Sequence, residues 1–327
     1  MYKVSVIGAS GYAGQEVLRL LSTRSDIEIE HLMAASSAGK RMGEIAPNLI
    51  SLKEKILESV DIDKLSESDV IFFALPHGKS GEFANSLIDK YGEDTPLLLD
   101  LGADFRLKSE EDWAEYYGSE YAGCWDYGLP ELDRIGGINA LRKSKKIAVP
   151  GCNVTAVTLA LLPAVKFGLI NLDDITATLA VGYSGAGKSL KPHLIASEAI
   201  NCSKPYAIGG THRHIPEIIQ NIKIINPESD KQDINLTFTP VLVPMTRGIL
   251  ATVSARLNSE SKNISTSEIL KIYQNVYKNE KFIDICFDDE MPSTASILGS
   301  NFAKIKPVVD KKSGRLIMFS AIDNLVR

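Results

Sequence analysis

Val4-Ser5-Val6-Ile7-Gly8-Ala9-Ser10-Gly11-Tyr12-Ala13-Gly14 decides the fold. The β-branched residues before Gly8 suit a strand. Gly8, Gly11 and Gly14 make a tight turn, and Val17, Leu18, Leu20 and Leu21 follow at helical spacing. Strand, glycine turn and helix in this order form a phosphate cradle, because helix N–H groups face an anion that glycine lets approach closely. The glycines sit three apart, whereas the dinucleotide fingerprint separates its first two by one residue. Further strands are predicted at Glu28–Ala35, Asp69–Leu75, Pro96–Leu101 and Lys146–Val149, with helical patterns between several of them. Alternating strands and helices predict a doubly wound parallel sheet, an α/β Rossmann nucleotide-binding domain over residues 1–150.

Beyond Pro150 the texture changes. Asn153–Phe167 reads as a helix. The runs Ile175–Val181, Ile234–Val243, Ile249–Leu257, Asn301–Val309 and Arg315–Ile322 alternate, as strands with one covered face do. Residues 151–322 are therefore expected to be an α+β catalytic domain with a mixed, largely antiparallel sheet. Two domains also suit a chain of 327 residues, at about 150 residues per domain.

Composition narrows the function. Apolar residues make up 44% and charged residues 24%, as in a globular protein. A net charge of −5 provides no general field for nucleic acid or an anionic membrane. The longest strongly apolar stretch, Val154–Val165, contains threonines and a proline, and a membrane span needs about twenty residues. The start Met1-Tyr2-Lys3 leads straight into a strand, so no signal peptide is expected and a cytoplasmic setting is.

The end of the second strand speaks to the nucleotide. A carboxylate there would accept from the ribose 2′-hydroxyl of NAD. This chain has Ala34-Ala35-Ser36-Ser37-Ala38-Gly39-Lys40-Arg41, with hydroxyls and cations and no acid. That set suits a 2′-phosphate and predicts NADP(H).

The four cysteines, Cys124, Cys152, Cys202 and Cys286, show no metal-ligand spacing, and no metal is expected. In Val149-Pro150-Gly151-Cys152-Asn153 a strand ends, the chain turns, and Cys152 stands where a helix begins. The positive end of that helix lowers the thiol pKa and makes Cys152 the candidate nucleophile. The other three lack such a setting. A base titrating near neutrality is then needed. Of five histidines, His212 and His214 stand in Gly209-Gly210-Thr211-His212-Arg213-His214-Ile215-Pro216-Glu217, where Glu217 is placed to orient an imidazole. Which histidine faces Cys152 is left open by the residues alone.

Gly8-x-x-Gly11-Tyr12-x-Gly14, Leu75-Pro76-His77-Gly78, Asp100-Leu101-Gly102-Ala103-Asp104-Phe105-Arg106, Tyr127-Gly128-Leu129-Pro130-Glu131, Pro150-Gly151-Cys152, Ser184-Gly185-Ala186-Gly187-Lys188 and His212-Arg213-His214-x-Pro216-Glu217 occur in one order. Together they resemble the N-acetyl-gamma-glutamyl-phosphate reductases of arginine biosynthesis, relatives of aspartate-semialdehyde dehydrogenase, from Lys3 to Asn324. The resemblance implies Cys152 as nucleophile, His212 as acid/base and Glu217 beside it. It implies cofactor contacts from Gly8, Ser10, Gly11, Tyr12, Gly14, Ser36, Ser37, Pro76, His77, Ser184, Gly185, Gly187, Lys188 and Asn324; Lys40 joins them on its charge. Arg106, Arg213 and Arg247 are implied as holders of a small acyl-phosphate substrate, and the assembly as a homodimer or homotetramer. Many members carry an aromatic residue where this chain has Asn153. Members also continue past Asp323-Asn324-Leu325 into a helix that returns to the nucleotide domain, so residues 323–327 are expected to return there.

The implied reaction is NADPH-dependent reduction of N-acetyl-L-glutamyl 5-phosphate to the 5-semialdehyde and phosphate through a cysteinyl thioester. Two rivals stand beside it. One is the same chemistry on an aminoadipyl or aspartyl phosphate, since one methylene changes binding by only about 1–3 kcal/mol. The other is a nucleotide-binding redox sensor in which Cys152 is a switch.

Overall fold

The computed structural model describes residues 1–231 and 233–327, and the chain divides into two compact units. The first holds Met1–Gly128 and Ala140–Pro150, the second Leu129–Asn139 and Gly151–Arg327.

In the first unit six strands run in the spatial order β2-β1-β3-β4-β6-β5. They are β1 (Tyr2–Ile7), β2 (Ile27–Met33), β3 (Val70–Phe73), β4 (Leu97–Asp100), β5 (Asp126–Tyr127) and β6 (Lys146–Ala148). Every neighbouring pair is parallel. Successive side chains on a strand point to opposite faces, and both faces are covered here. Val6 packs into a core with Leu18 and Leu32, while Ile7 packs into another with Phe73, Leu87 and Leu98. The helices α1 (Tyr12–Leu21) and α2 (Ser80–Tyr91) contribute Leu18 and Leu87 to those cores. The strand order reverses between β1 and β3, so the loops after these strands stand at a topological switch point.

The second unit has a seven-stranded sheet in the order β11-β12-β13-β10-β7-β9-β8. Its strands are β7 (Ile175–Gly182), β8 (Lys204–Pro205), β9 (Leu236–Val243), β10 (Ile249–Arg256), β11 (Ile283–Ile285), β12 (Ala303–Asp310) and β13 (Arg315–Ile322). The pairs β7–β9 and β11–β12 are parallel and the other four antiparallel, which is the mixed, largely antiparallel sheet expected. Its helices include α3 (Pro130–Ile135), α4 (Cys152–Lys166), α5 (His214–Ile225) and α6 (Thr266–Tyr277). On β10, Ile249, Ala251, Val253 and Ala255 are buried, and α4 packs against this strand. Asn153 to Val165 are all buried, so α4 is the central helix of the unit. Pro163 in α4 has no N–H for the carbonyl of Leu159 one turn earlier. The Tyr277 hydroxyl donates to that carbonyl at 2.6 Å instead.

Two boundaries differ from the expectation. Leu129–Asn139 belongs to the second unit, because Arg134 pairs with Glu280 and Lys166 donates to the Ile135 carbonyl. Residues 323–327 also stay in the second unit and do not return to the first. There Arg327 forms a buried ion pair with Glu131 at 2.6 Å, and buried Asp323 accepts from Arg247 Nε at 2.9 Å. Removing one partner of such a buried pair would leave the other charge uncompensated, so these contacts tie residues 323–327 to this unit.

Tyr277→Phe is expected to lower the unfolding free energy by about 1–3 kcal/mol, since it leaves the Leu159 carbonyl buried and unpaired. Urea unfolding of the variant and the parent measures the difference.

Candidate active site

The first unit presents the glycine turn at the end of β1. Gly8 has a φ of +83°, and a side chain there would run into the carbonyl of Ala74. A side chain at Gly14 would run into the Gly8 carbonyl. The turn therefore closes only on glycine and leaves a cradle of backbone before α1, whose N-cap Gly11 has no side-chain cap. The Gly8 and Ala9 N–H groups donate to the Met33 carbonyl at 2.8 and 3.1 Å, which ties the turn to the end of β2. Ser36, Ser37 and Lys40 lie just beyond that end, with Ser36 and Lys40 exposed. Arg41 pairs with Glu54 at 3.3 Å, so Lys40 is the cation without a carboxylate partner there, among the described residues. Pro76 and His77 are exposed after β3, and the His77 ring meets Tyr117 edge-on. Asp104 accepts from the N–H groups of Gly78 and Gly81 at 2.7 and 2.9 Å and so shapes this second loop. The donors and the glycine cradle fit a dinucleotide phosphate.

Arg106, implied as a substrate holder, is buried. Its Nε donates to the Val149 carbonyl at 2.7 Å and its Nη2 to the Leu101 carbonyl at 2.9 Å. It ties two chain segments that leave adjacent strands. Asp100 beside it is buried; burial raises its carboxyl to about 6, against the Ser80 hydroxyl, the Gly102 N–H and the Arg106 charge.

The second unit holds the cysteine turn. Cys152 is the first residue of α4, behind the extended N-cap Gly151, and no side chain caps that helix. The helix start favours negative charge on the sulfur. His214 and Glu217 stand three apart on α5 and share a face. That face meets the turn. Glu217, fully buried, accepts the Gly151 N–H at 3.0 Å. A side chain on Gly151 would sit 2.5 Å from His214 Nε2, so the imidazole lies directly over the residue before the nucleophile. Glu217 thus acts on the turn itself, a role its position in the sequence did not suggest.

His212 behaves differently from the expectation. It is buried against Phe238 and Tyr206, with ring centroids 4.8 and 5.5 Å away. Its Nδ1 accepts the His214 backbone N–H at 3.1 Å, so its proton resides on Nε2. Burial, and then the Arg213 charge, lowers it to about 4. An imidazole that resists protonation is a poor base near neutrality, and it is His214 whose ring reaches the Cys152 turn. The sequence also missed Tyr206, which no motif marks; it follows the short strand β8 and receives a 3.5 Å hydrogen bond from Asn153 Nδ2.

Ser184 to Lys188 form a short loop after β7, in the second unit. Asn324 braces it, donating to Ser184 Oγ at 3.1 Å while its own Oδ1 accepts the Gly248 N–H at 2.6 Å. Arg247 is held by Asp323, and Arg213 is exposed. Elsewhere, Glu30, His31 and Glu67 bring three metal-capable atoms within 4.8 Å, but Lys3 already pairs with Glu30 and Glu58 with His31 Nδ1.

Residues 3–136 match the family model of the semialdehyde dehydrogenase NAD binding domain, and residues 152–324 that of the semialdehyde dehydrogenase dimerisation domain. An N-acetyl-gamma-glutamyl-phosphate reductase from Bifidobacterium longum (strain DJO10A) is 43% identical, with 100% of this chain and 91% of that protein covered. One from Thermobifida fusca (strain YX) is 45% identical over the same shares. Among solved structures, aspartate semialdehyde dehydrogenase II of Vibrio cholerae superposes with a TM-score of 0.71 at 17% identity, over 99% of this chain and 94% of that one. The aspartate semialdehyde dehydrogenase of Candida albicans, solved with NADP, gives 0.66 at 17% identity, over 100% and 96%. Both structures share the fold.

His212 carries a pH signature. Its folded pKa of about 4 lies below the unfolded value of about 6.5, so the unfolded state binds the extra proton between them. That contribution to stability is complete above pH ~6.5 and is lost as pH falls toward ~4, at most about 3 kcal/mol. Urea unfolding at several pH values should show this slope in the parent and lose it in His212→Asn; an unchanged slope contradicts the burial argument.

Proposed function

The chain belongs to the N-acetyl-gamma-glutamyl-phosphate reductase family of semialdehyde dehydrogenases, and we propose that it reduces N-acetyl-L-glutamyl 5-phosphate to N-acetyl-L-glutamate 5-semialdehyde through a thioester on Cys152. The observation that carries this is the cysteine turn: a thiol at a helix start with His214 over the preceding glycine.

His214 takes the thiol proton, and the Cys152 sulfur attacks the acyl carbon. A carbon–sulfur bond forms, the carbon–oxygen bond to phosphate breaks, and phosphate leaves with the electron pair. NADPH, held at the glycine cradle, would supply the hydride that takes the thioester to the aldehyde level. The resulting alkoxide then expels Cys152 as thiolate, which recovers its proton from His214, and the aldehyde is free to leave. Glu217 holds the turn so that the sulfur keeps its line of attack. His212, neutral and with its proton on Nε2, serves as a hydrogen-bond donor to substrate and not as the base.

The glycine cradle and the pair of Ser36 and Lys40 support NADP(H) as the nucleotide, with Pro76, His77 and the braced Ser184–Lys188 loop as further contacts. Arg106 offers a fixed cation for the phosphate, because Nε and Nη2 are already committed to carbonyls; Arg213 and Arg247 are the other candidates. The dimerisation-domain match supports a homodimer or homotetramer. No helix among the described residues is long and apolar enough to cross a membrane. A cytoplasmic setting belongs to this reading and agrees with the biosynthetic names of the relatives.

Mixing the semialdehyde, NADP and phosphate should give reduced nicotinamide absorbance only when phosphate is present. A panel of shorter and longer semialdehydes ranks the chain length, and absence of any phosphate-dependent signal leaves the sensor reading. Cys152→Ala should fall below about a thousandth of parent turnover and still bind NADPH, as removal of a nucleophile does. Tighter binding of NADH than NADPH contradicts the 2′-phosphate site. His214→Asn should be more damaging to turnover than His212→Asn; the reverse order returns the base to His212.

A further inference from the structure

Tyr206 is a half-buried phenol that the reaction above leaves unused. Its backbone N–H donates to the Pro240 carbonyl at 3.2 Å, which fixes the residue to the strand β9. Its ring lies 5.5 Å from that of His212. Asn153, the residue after the nucleophile, is 2% exposed. It donates Nδ2–H to the phenol oxygen at 3.5 Å. That bond occupies a lone pair on the oxygen and leaves the phenol proton for another acceptor. Among the described residues no group takes that proton.

The carboxamide also carries a cost. Asn153 Oδ1 is buried with no partner. Leaving such an acceptor unpaired costs about 1–3 kcal/mol. Rotating the amide would pair it with the Tyr206 proton, consume that proton and bury the amide N–H groups in its place with no acceptor. An orphaned acceptor next to the nucleophile is what results when the phenol is kept as a donor. Burial, opposed by the Asn153 bond and aided by the nearby Cys152 charge, raises the phenol to about 12, so it stays protonated wherever the thiolate works.

Resting on the thioester reading, we infer that the Tyr206 hydroxyl is a catalytic hydrogen-bond donor to the acyl carbonyl oxygen, and that Asn153 is the positioning residue that aims it. When the Cys152 sulfur bonds to the acyl carbon, the carbonyl π pair moves onto oxygen. Tyr206 hydrogen-bonds that oxyanion without giving up its proton, and the C=O bond re-forms as phosphate departs with its electron pair. A preorganised donor of this kind acts on the transition state more than on the bound substrate.

Tyr206→Phe tests the inference, because it keeps the ring against His212 and removes only the donor. The kcat should fall about a hundredfold with KM little changed, the loss typical of one oxyanion donor. Alkylation of Cys152 by iodoacetamide should stay within twofold of the parent, since attack at a saturated carbon generates no oxyanion. Asn153→Ala should lower kcat by a smaller factor, about tenfold, with the same unchanged alkylation. A Tyr206→Phe kcat within threefold of the parent overturns the inference, and so does an alkylation rate that falls in step with kcat, which would put Tyr206 on the sulfur. Neither result touches the thioester reading, which fails separately if parent enzyme shows no phosphate-dependent turnover.

Discussion

The contact on which this molecule depends is the meeting of one helix face with one glycine. Gly151 has no side chain, and that absence lets the His214 ring lie over the backbone just ahead of Cys152. The Gly151 N–H would otherwise be buried without an acceptor, and the buried Glu217 carboxylate accepts it. One glycine thus fixes the start of α4, the position of the imidazole and the orientation of the turn at once. Any larger residue there would push α5 away and separate the His214 ring from the turn before Cys152. The rest of the second unit serves to hold α4 and α5 still: α4 is buried along its length, and Asn221 on α5 donates to Thr158 on α4 at 3.0 Å.

Electrostatic environment then sorts two histidines that the sequence presents as near equals. His212 faces Phe238 and Tyr206, and burial removes its capacity to hold a charge. His214 sits on the first turn of a helix against a polar turn. Identical side chains two residues apart thus meet different surroundings, one an apolar pocket and the other the turn before Cys152. In the first unit the same economy operates through the backbone, where Gly8 and Gly14 close a turn that any side chain would obstruct.

Much of this was legible in the residues. The β1 turn, the long alternating strands of the second unit and the helix start at Cys152 all rest on local patterns, and the structure has them. The family motifs named His212, Glu217 and Arg106, but not what each touches. Glu217 bonds to Gly151, sixty-six positions away along the chain, and such a contact leaves no periodic signal. Arg106 is anchored by two carbonyls that only the folded strand ends bring near. The chain end at 323–327 and the segment Leu129–Asn139 went to the second unit through ion pairs at long separation. Tyr206 follows a two-residue strand, too short to carry a pattern.

An acyl group that passes through the sulfur of Cys152 can be trapped there. Protein mixed with the acyl phosphate in the absence of NADPH, quenched in acid and digested, can be read by mass spectrometry. The account predicts an N-acetylglutamyl adduct on the peptide that contains Cys152 and on no peptide that contains Cys124, Cys202 or Cys286. An unmodified Cys152, or the adduct on another thiol, contradicts it.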